Sequence, residues 1–140
     1  MAARLQIEFQ VTKTGLPQQI SDHFSTLLKS KSDQIPPAYM CNKEKLVFII
    51  FEKVDKVLRE YVESLDTSKT ENIAYVSVFG QGDDELKKIS ESKGVNVAGV
   101  YDVGVKKGLF GGGKLTQEEL DGAVGFAKKT AESLFESLHL

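Results

Sequence analysis

Between Glu44 and Asp84 the chain carries its most decisive stretch. It runs Leu46-Val47-Phe48-Ile49-Ile50-Phe51, then an amphipathic segment, then Ile73-Ala74-Tyr75-Val76-Ser77-Val78-Phe79, and it closes on Gly80-Gln81-Gly82-Asp83. Strands with almost no polar alternation are buried on both faces, as in parallel sheets covered by helices on either side. The intervening segment steps Val54, Val57, Leu58, Tyr61, Val62, Leu65, the spacing of one helical face. The glycines stand where the second strand ends. Ligands of open α/β sheets collect at such carboxyl ends.

Outward from this unit, Arg4 to Val11 reads as the first strand. Leu5, Ile7, Phe9 and Val11 alternate with Gln6, Glu8 and Gln10. The loop Thr12-Lys13-Thr14-Gly15 follows, and Pro17 suits the first turn of a helix with Ile20, Phe24, Leu27 and Leu28 on one face. Ile35 to Met40 reads as a weak strand, which Pro36 and Pro37 confine to an edge. Only Cys41 to Lys45 separate it from the central strand, too short a link for a crossover helix.

Beyond the glycines, Asp83 or Asp84 caps a helix that ends at Gly94, and Val95 to Val103 form the last strand. A glycine-rich connection, Gly104 to Lys114, leads to a final helix with the Thr116/Glu119 capping box. Its buried stripe is Leu120, Val124, Ala127, Ala131, Leu134 and Leu138. Gly122 and Gly125 imply close approach of that helix to the sheet. The order β-α-β-β-α-β-α-β-α implies one doubly wound, mostly parallel sheet in a single domain spanning residues 1–140.

Composition narrows the function classes. The chain has 140 residues, 27% charged and 41% hydrophobic, with a formal net charge of -2, so it buries an ordinary core and carries no basic footprint for nucleic acid. No apolar run approaches a membrane span, and no secretory leader opens the sequence. The single cysteine, Cys41, forms no internal disulfide and reads as a small hydrophobe. A reduced, cytoplasmic setting follows.

At this point the pattern resembles a flavodoxin-like domain, with strand order 2-1-3-4-5 and the second helix reduced or missing. The likeness rests on the first βα loop, on Phe79-Gly80-Gln81-Gly82-Asp83, and on Lys93 to Val97 together with Lys114 to Leu120. The family binds FMN and carries electrons, through a phosphate loop that usually reads S/T-x-T-G-x-T. Thr12, Thr14 and Gly15 match it, Lys13 adds a cation, and Pro17 replaces the last threonine, removing a hydroxyl and an N–H. Hydroxyls and N–H groups at a helix start cradle a dianion, so anion affinity is expected there. The resemblance places the flavin ring against Gly80, Gln81, Gly82 and Asp83. The loop after the third strand, Phe51-Glu52-Lys53, is nearly absent, and no aromatic follows Phe79, so FMN is expected to bind weakly with a poorly covered ring.

Two functions remain open from the sequence: an FMN-binding electron carrier, or a cofactor-free flavodoxin-like module acting through protein contacts, with a redox partner, a protein partner or a second copy. No catalytic constellation stands out. Gly108 to Lys114 fits G-x-x-x-x-G-K, but Leu115 sits where magnesium needs Ser or Thr, and a glycine-rich connection is the better reading. His23 and His139 pair with no nucleophile, and Asp83, Asp84 and Glu85 are explained by a helix start. Finally, a missing second helix leaves one face of the first strand open. Gln6, Glu8 and Gln10 are expected in water, and Leu5, Ile7, Phe9 and Val11 buried, because a lone buried carboxylate is costly.

Overall fold

A computed structural model describes residues 5–38, 41–106 and 114–135. Five strands, β1 (Leu5–Phe9), β2 (Ser32–Gln34), β3 (Glu44–Phe51), β4 (Thr70–Ser77) and β5 (Asn96–Asp102), form one sheet in the order β2-β1-β3-β4-β5, and every pairing is parallel. Four helices, α1 (Leu16–Leu28), α2 (Lys56–Glu63), α3 (Asp83–Ser92) and α4 (Gln117–Leu134), complete the α/β fold, which has the flavodoxin-like topology. Among the described residues no helix joins β2 to β3.

The apolar run of β3 organises both layers. Leu46, Phe48 and Ile50 belong to the core under α1 and α4, and Val47, Ile49 and Phe51 to the core under α2. All six are fully buried. β4 repeats the division, with Ala74 and Val76 on the first side and Ile73 and Tyr75 on the second. Phe48 meets Phe24 of α1 edge-on, with ring centroids 5.3 Å apart, and Phe126 of α4 at 6.4 Å.

Several boundaries differ from the sequence reading. β2 is Ser32–Gln34 rather than Ile35 to Met40: three polar edge residues carry no alternating pattern, and Pro36 and Pro37 follow the strand instead of lying in it. Val11 lies past the end of β1 and is 64% exposed. α2 begins only after its cap Asp55, so Val54 precedes the helix and Val57 turns outward at 52% exposure. α3 is capped by Gly82, not by an aspartate side chain. The Thr116/Glu119 capping box is present. A Cβ on Gly122 would strike Oη of Tyr101 on β5, whereas Gly125 faces open space and has no such packing reason. Leu138 and Gly108 to Gly113 lie outside the described residues.

Truncating the ring that both flanking helices touch tests this layering. Phe48→Ala is expected to cost about 3–5 kcal/mol, and the exposed Val57→Ser less than about 0.5 kcal/mol. Chemical denaturation of both variants checks this, and a near-neutral Phe48→Ala would contradict a doubly buried β3.

Candidate functional site

The order 2-1-3-4-5 reverses between β1 and β3, and a crevice opens at the carboxyl ends of those two strands. Here Gln10, Val11, Thr12, Lys13, Thr14, Glu52, Lys53, Asp55 and Phe79 line a cleft of about 570 Å³. Of the residues singled out from sequence, the cleft brings together Thr12, Lys13 and Thr14. Gly15 caps α1 at φ 70°. Gly80, Gln81, Gly82 and Asp83 do not line the cleft.

Glu52 is the residue that sequence reasoning missed. The Thr12 hydroxyl donates to Glu52 Oε1 at 2.8 Å, and the Thr14 hydroxyl donates to the same oxygen. Thr14 Oγ1 in turn accepts from Leu16 N at 3.1 Å, closing the start of α1. The hydroxyl protons that a phosphate would need are therefore already given to a carboxylate of the same chain. Its negative charge also opposes a second anion there.

Gln10 explains why Glu52 stands in this place. Its side-chain carbonyl accepts from Glu52 N at 2.8 Å and Lys53 N at 3.2 Å, and its amide donates to Lys53 O at 2.8 Å. One amide thus binds both polarities of a backbone turn across the strand ends. Parallel pairing brings Phe9 opposite Ile50, so the next residues of the two chains meet at the rim.

The segment proposed for the ring is packed rather than open. Gly80 and Gly82 adopt φ of 74° and 90°, the left-handed region that glycine tolerates. A Cβ on Gly82 would lie 2.5 Å from Cγ2 of Val54, and one on Gly80 would strike the Asp102 carboxylate. The loops after β3 and β4 therefore pack closely through Val54 and Gly82. As arranged, the Thr12 and Thr14 hydroxyls are turned to Glu52 and not to a phosphate.

A second polar cluster lies under α2. Glu8 and Gln10 are 0% and 5% exposed, against the expectation of a water-filled face. The physical reason is a polar cover: Tyr61 of α2 donates its hydroxyl to Glu8 Oε1 at 2.6 Å, and the Cys41 thiol reaches the same oxygen at 3.3 Å and Gln6 Oε1 at 3.0 Å. Gln6 is only half-buried. Glu8 Oε2 has no partner among the described residues. Burial pushes the Glu8 carboxyl up to about 7, against the lowering effect of its Tyr61 and Cys41 bonds; Asp33 and Glu44 add to the rise. Burial and the Glu8 charge push the Cys41 thiol up to about 12, which leaves it protonated and a poor nucleophile. The same two causes raise Tyr61. Among the described residues no group of three or more His, Cys, Asp or Glu side chains could hold a metal ion, and no helix is long and apolar enough to cross a membrane.

Stability should follow the Glu8 proton. Unfolded, this carboxyl ionises near 4.5, and folded near 7. Between those values the folded chain holds a proton that the unfolded chain has released, so the contribution of Glu8 is complete below 4.5 and is lost as the pH rises to about 7. The loss amounts to about 3 kcal/mol. Denaturation of the parent and of Glu8→Gln at pH 5 and pH 8 is expected to show the parent losing stability relative to the variant by roughly that amount. Parallel pH profiles would show that Glu8 ionises normally.

No protein-family model matches this chain, and no curated protein matches it.

Proposed function

We propose that this chain is a flavodoxin-like domain that works without a flavin and acts through protein contacts. The observation that supports this reading most is the Glu52 carboxylate on the hydroxyls of Thr12 and Thr14. A side chain of the domain itself takes the place where the resemblance puts the phosphate. The close packing of Val54 on Gly82 adds to it, because it brings the two loops together where the resemblance puts the ring. On this reading the left-handed glycines at positions 80 and 82 serve tight packing, not a cofactor.

The rival reading, an FMN-binding electron carrier, draws on one specific observation. The cleft lies at the switch point of the sheet, and Lys13 stands on its rim. Binding there would require Glu52 to swing away and Val54 to separate from Gly82. The first move breaks the hydrogen bonds of Thr12 and Thr14 to Glu52, and the second opens the close packing of Val54 on Gly82.

Flavin fluorescence separates the two. Titration of FMN with the parent protein is expected to leave the fluorescence unquenched, and the purified protein colourless. Replacing Glu52 by Ala frees two hydroxyls and removes a like charge, so affinity for inorganic phosphate is expected to rise about ten-fold, read as a thermal shift. Tight, stoichiometric quenching by the parent would overturn the flavin-free reading. An unchanged phosphate response in Glu52→Ala would show that Glu52 is not what occupies the loop.

A further inference from the structure

Glu8 sits on a strand that cannot move, under a cover that can. β1 is held from both sides, with Glu8 in register beside Asp33 of β2 and Ile49 of β3. The side chains that close over its carboxylate come from elsewhere: Tyr61 of α2, with its hydroxyl at 2.6 Å, and Cys41, with its thiol at 3.3 Å. α2 is the shortest of the described helices, eight residues long, and it buries Leu58, Tyr61 and Val62. Cys41 is fully covered yet belongs to no described helix or strand. Elements of this kind open locally at far lower cost than a central strand pair.

The surroundings of Glu8 favour its proton. β2 brings the Asp33 carboxylate alongside, itself bonded to Gln34 N at 2.8 Å and Ala38 N at 2.9 Å, and β3 brings Glu44. β1 contributes only the amides of Gln6 and Gln10. The charged side chains of α2 turn away: Lys56, Glu60 and Glu63 are exposed, and Arg59 pairs with Glu85. Lys43, two residues after Cys41, is exposed as well. Oε2 of Glu8 is buried with no partner among the described residues. An ionised Glu8 therefore has a carboxylate oxygen without a donor and a like charge in register beside it, while a neutral Glu8 escapes most of that cost.

We propose that Tyr61 and Cys41 form a proton-controlled latch over Glu8: the cover stays shut while Glu8 keeps its proton, and it opens to water, with the sheet intact, when the proton leaves. The proton passes to solvent, and entering water supplies the donors that Oε2 lacks. This differs from a loss of overall stability with pH, which would leave the cover shut in every folded molecule. Covered, the carboxyl ionises near 7, and open to water near 4.5, so opening increases with pH between those values and levels off above them.

Cys41 reports on the latch directly, because the chain has one cysteine and its thiol is part of the cover. The intact chain is labelled with dithiodipyridine, and the rate is divided by that of the urea-unfolded chain at the same pH, which removes the thiol's own ionisation. The accessibility so obtained is expected to rise about fifty-fold from pH 5 to pH 8. At pH 8 it is expected to be unchanged by urea below the unfolding transition, as local opening exposes little surface. Glu8→Gln is expected to hold it level across the same pH range. Asp33→Asn, which removes the like charge and leaves the carboxyl of Glu8, is expected to give a smaller rise, and it decides the matter if Glu8→Gln does not fold. A parent whose accessibility ignores pH, an equal rise in Glu8→Gln, or an undiminished rise in Asp33→Asn would overturn the latch. Labelling that climbs with urea as steeply as global unfolding would overturn it too, by showing that the thiol is reached only in the unfolded chain.

Discussion

Burying both faces of β3 is the constraint from which the rest of the molecule follows. Six consecutive side chains, Leu46 to Phe51, are sealed between two helical layers, so β3 has no polar face to offer a ligand. Water reaches the strand only at its ends. β1 is locked beside it in parallel register from Leu5 opposite Leu46 to Phe9 opposite Ile50. That register delivers Gln10 to the turn at Glu52 and Lys53, and the bracket of hydrogen bonds there aims Glu52 at the threonine loop. The chemistry of the rim is therefore a consequence of core packing some distance below it.

Among the described residues no helix joins β2 to β3, which creates a second problem that the chain solves with polar side chains. Without that helix the outer face of β1 lacks its usual cover. Tyr61 and Cys41 close over Glu8 instead, and Ile35 joins the same core. A buried carboxyl is tolerable when it is neutral or well supplied with donors. Among the described residues Glu8 receives two donors on one oxygen and none on the other, and its ionisation is displaced toward neutral pH. A hydrocarbon residue at this position would have avoided the cost of burial.

Legibility in the sequence followed the range of the interactions. β3 and β4 were readable because unbroken apolar runs encode double burial locally. The cap of α4 was readable because Thr116 and Glu119 lie within one turn. β2 was not, since three polar residues at an edge owe their pairing to β1 alone. Glu8 was misplaced because its donors Cys41 and Tyr61 lie 33 and 53 residues away in the chain. Thr12 and Thr14 were recognisable as paired hydroxyls at a helix start. Their acceptor was not, because Glu52 is some 40 residues distant from Thr12. A faint signal existed: Glu52 immediately follows a strand whose neighbour ends in that same loop, and an acid there necessarily lies near the hydroxyls.

Whether Glu52 holds the threonine loop is settled most directly by a crystal structure grown with excess FMN and phosphate. The Glu52 carboxylate within hydrogen-bond distance of the hydroxyls of Thr12 and Thr14, with no phosphate bound to them, is the expected result. A phosphate group seated on those hydroxyls, with Glu52 turned out toward solvent, would contradict it.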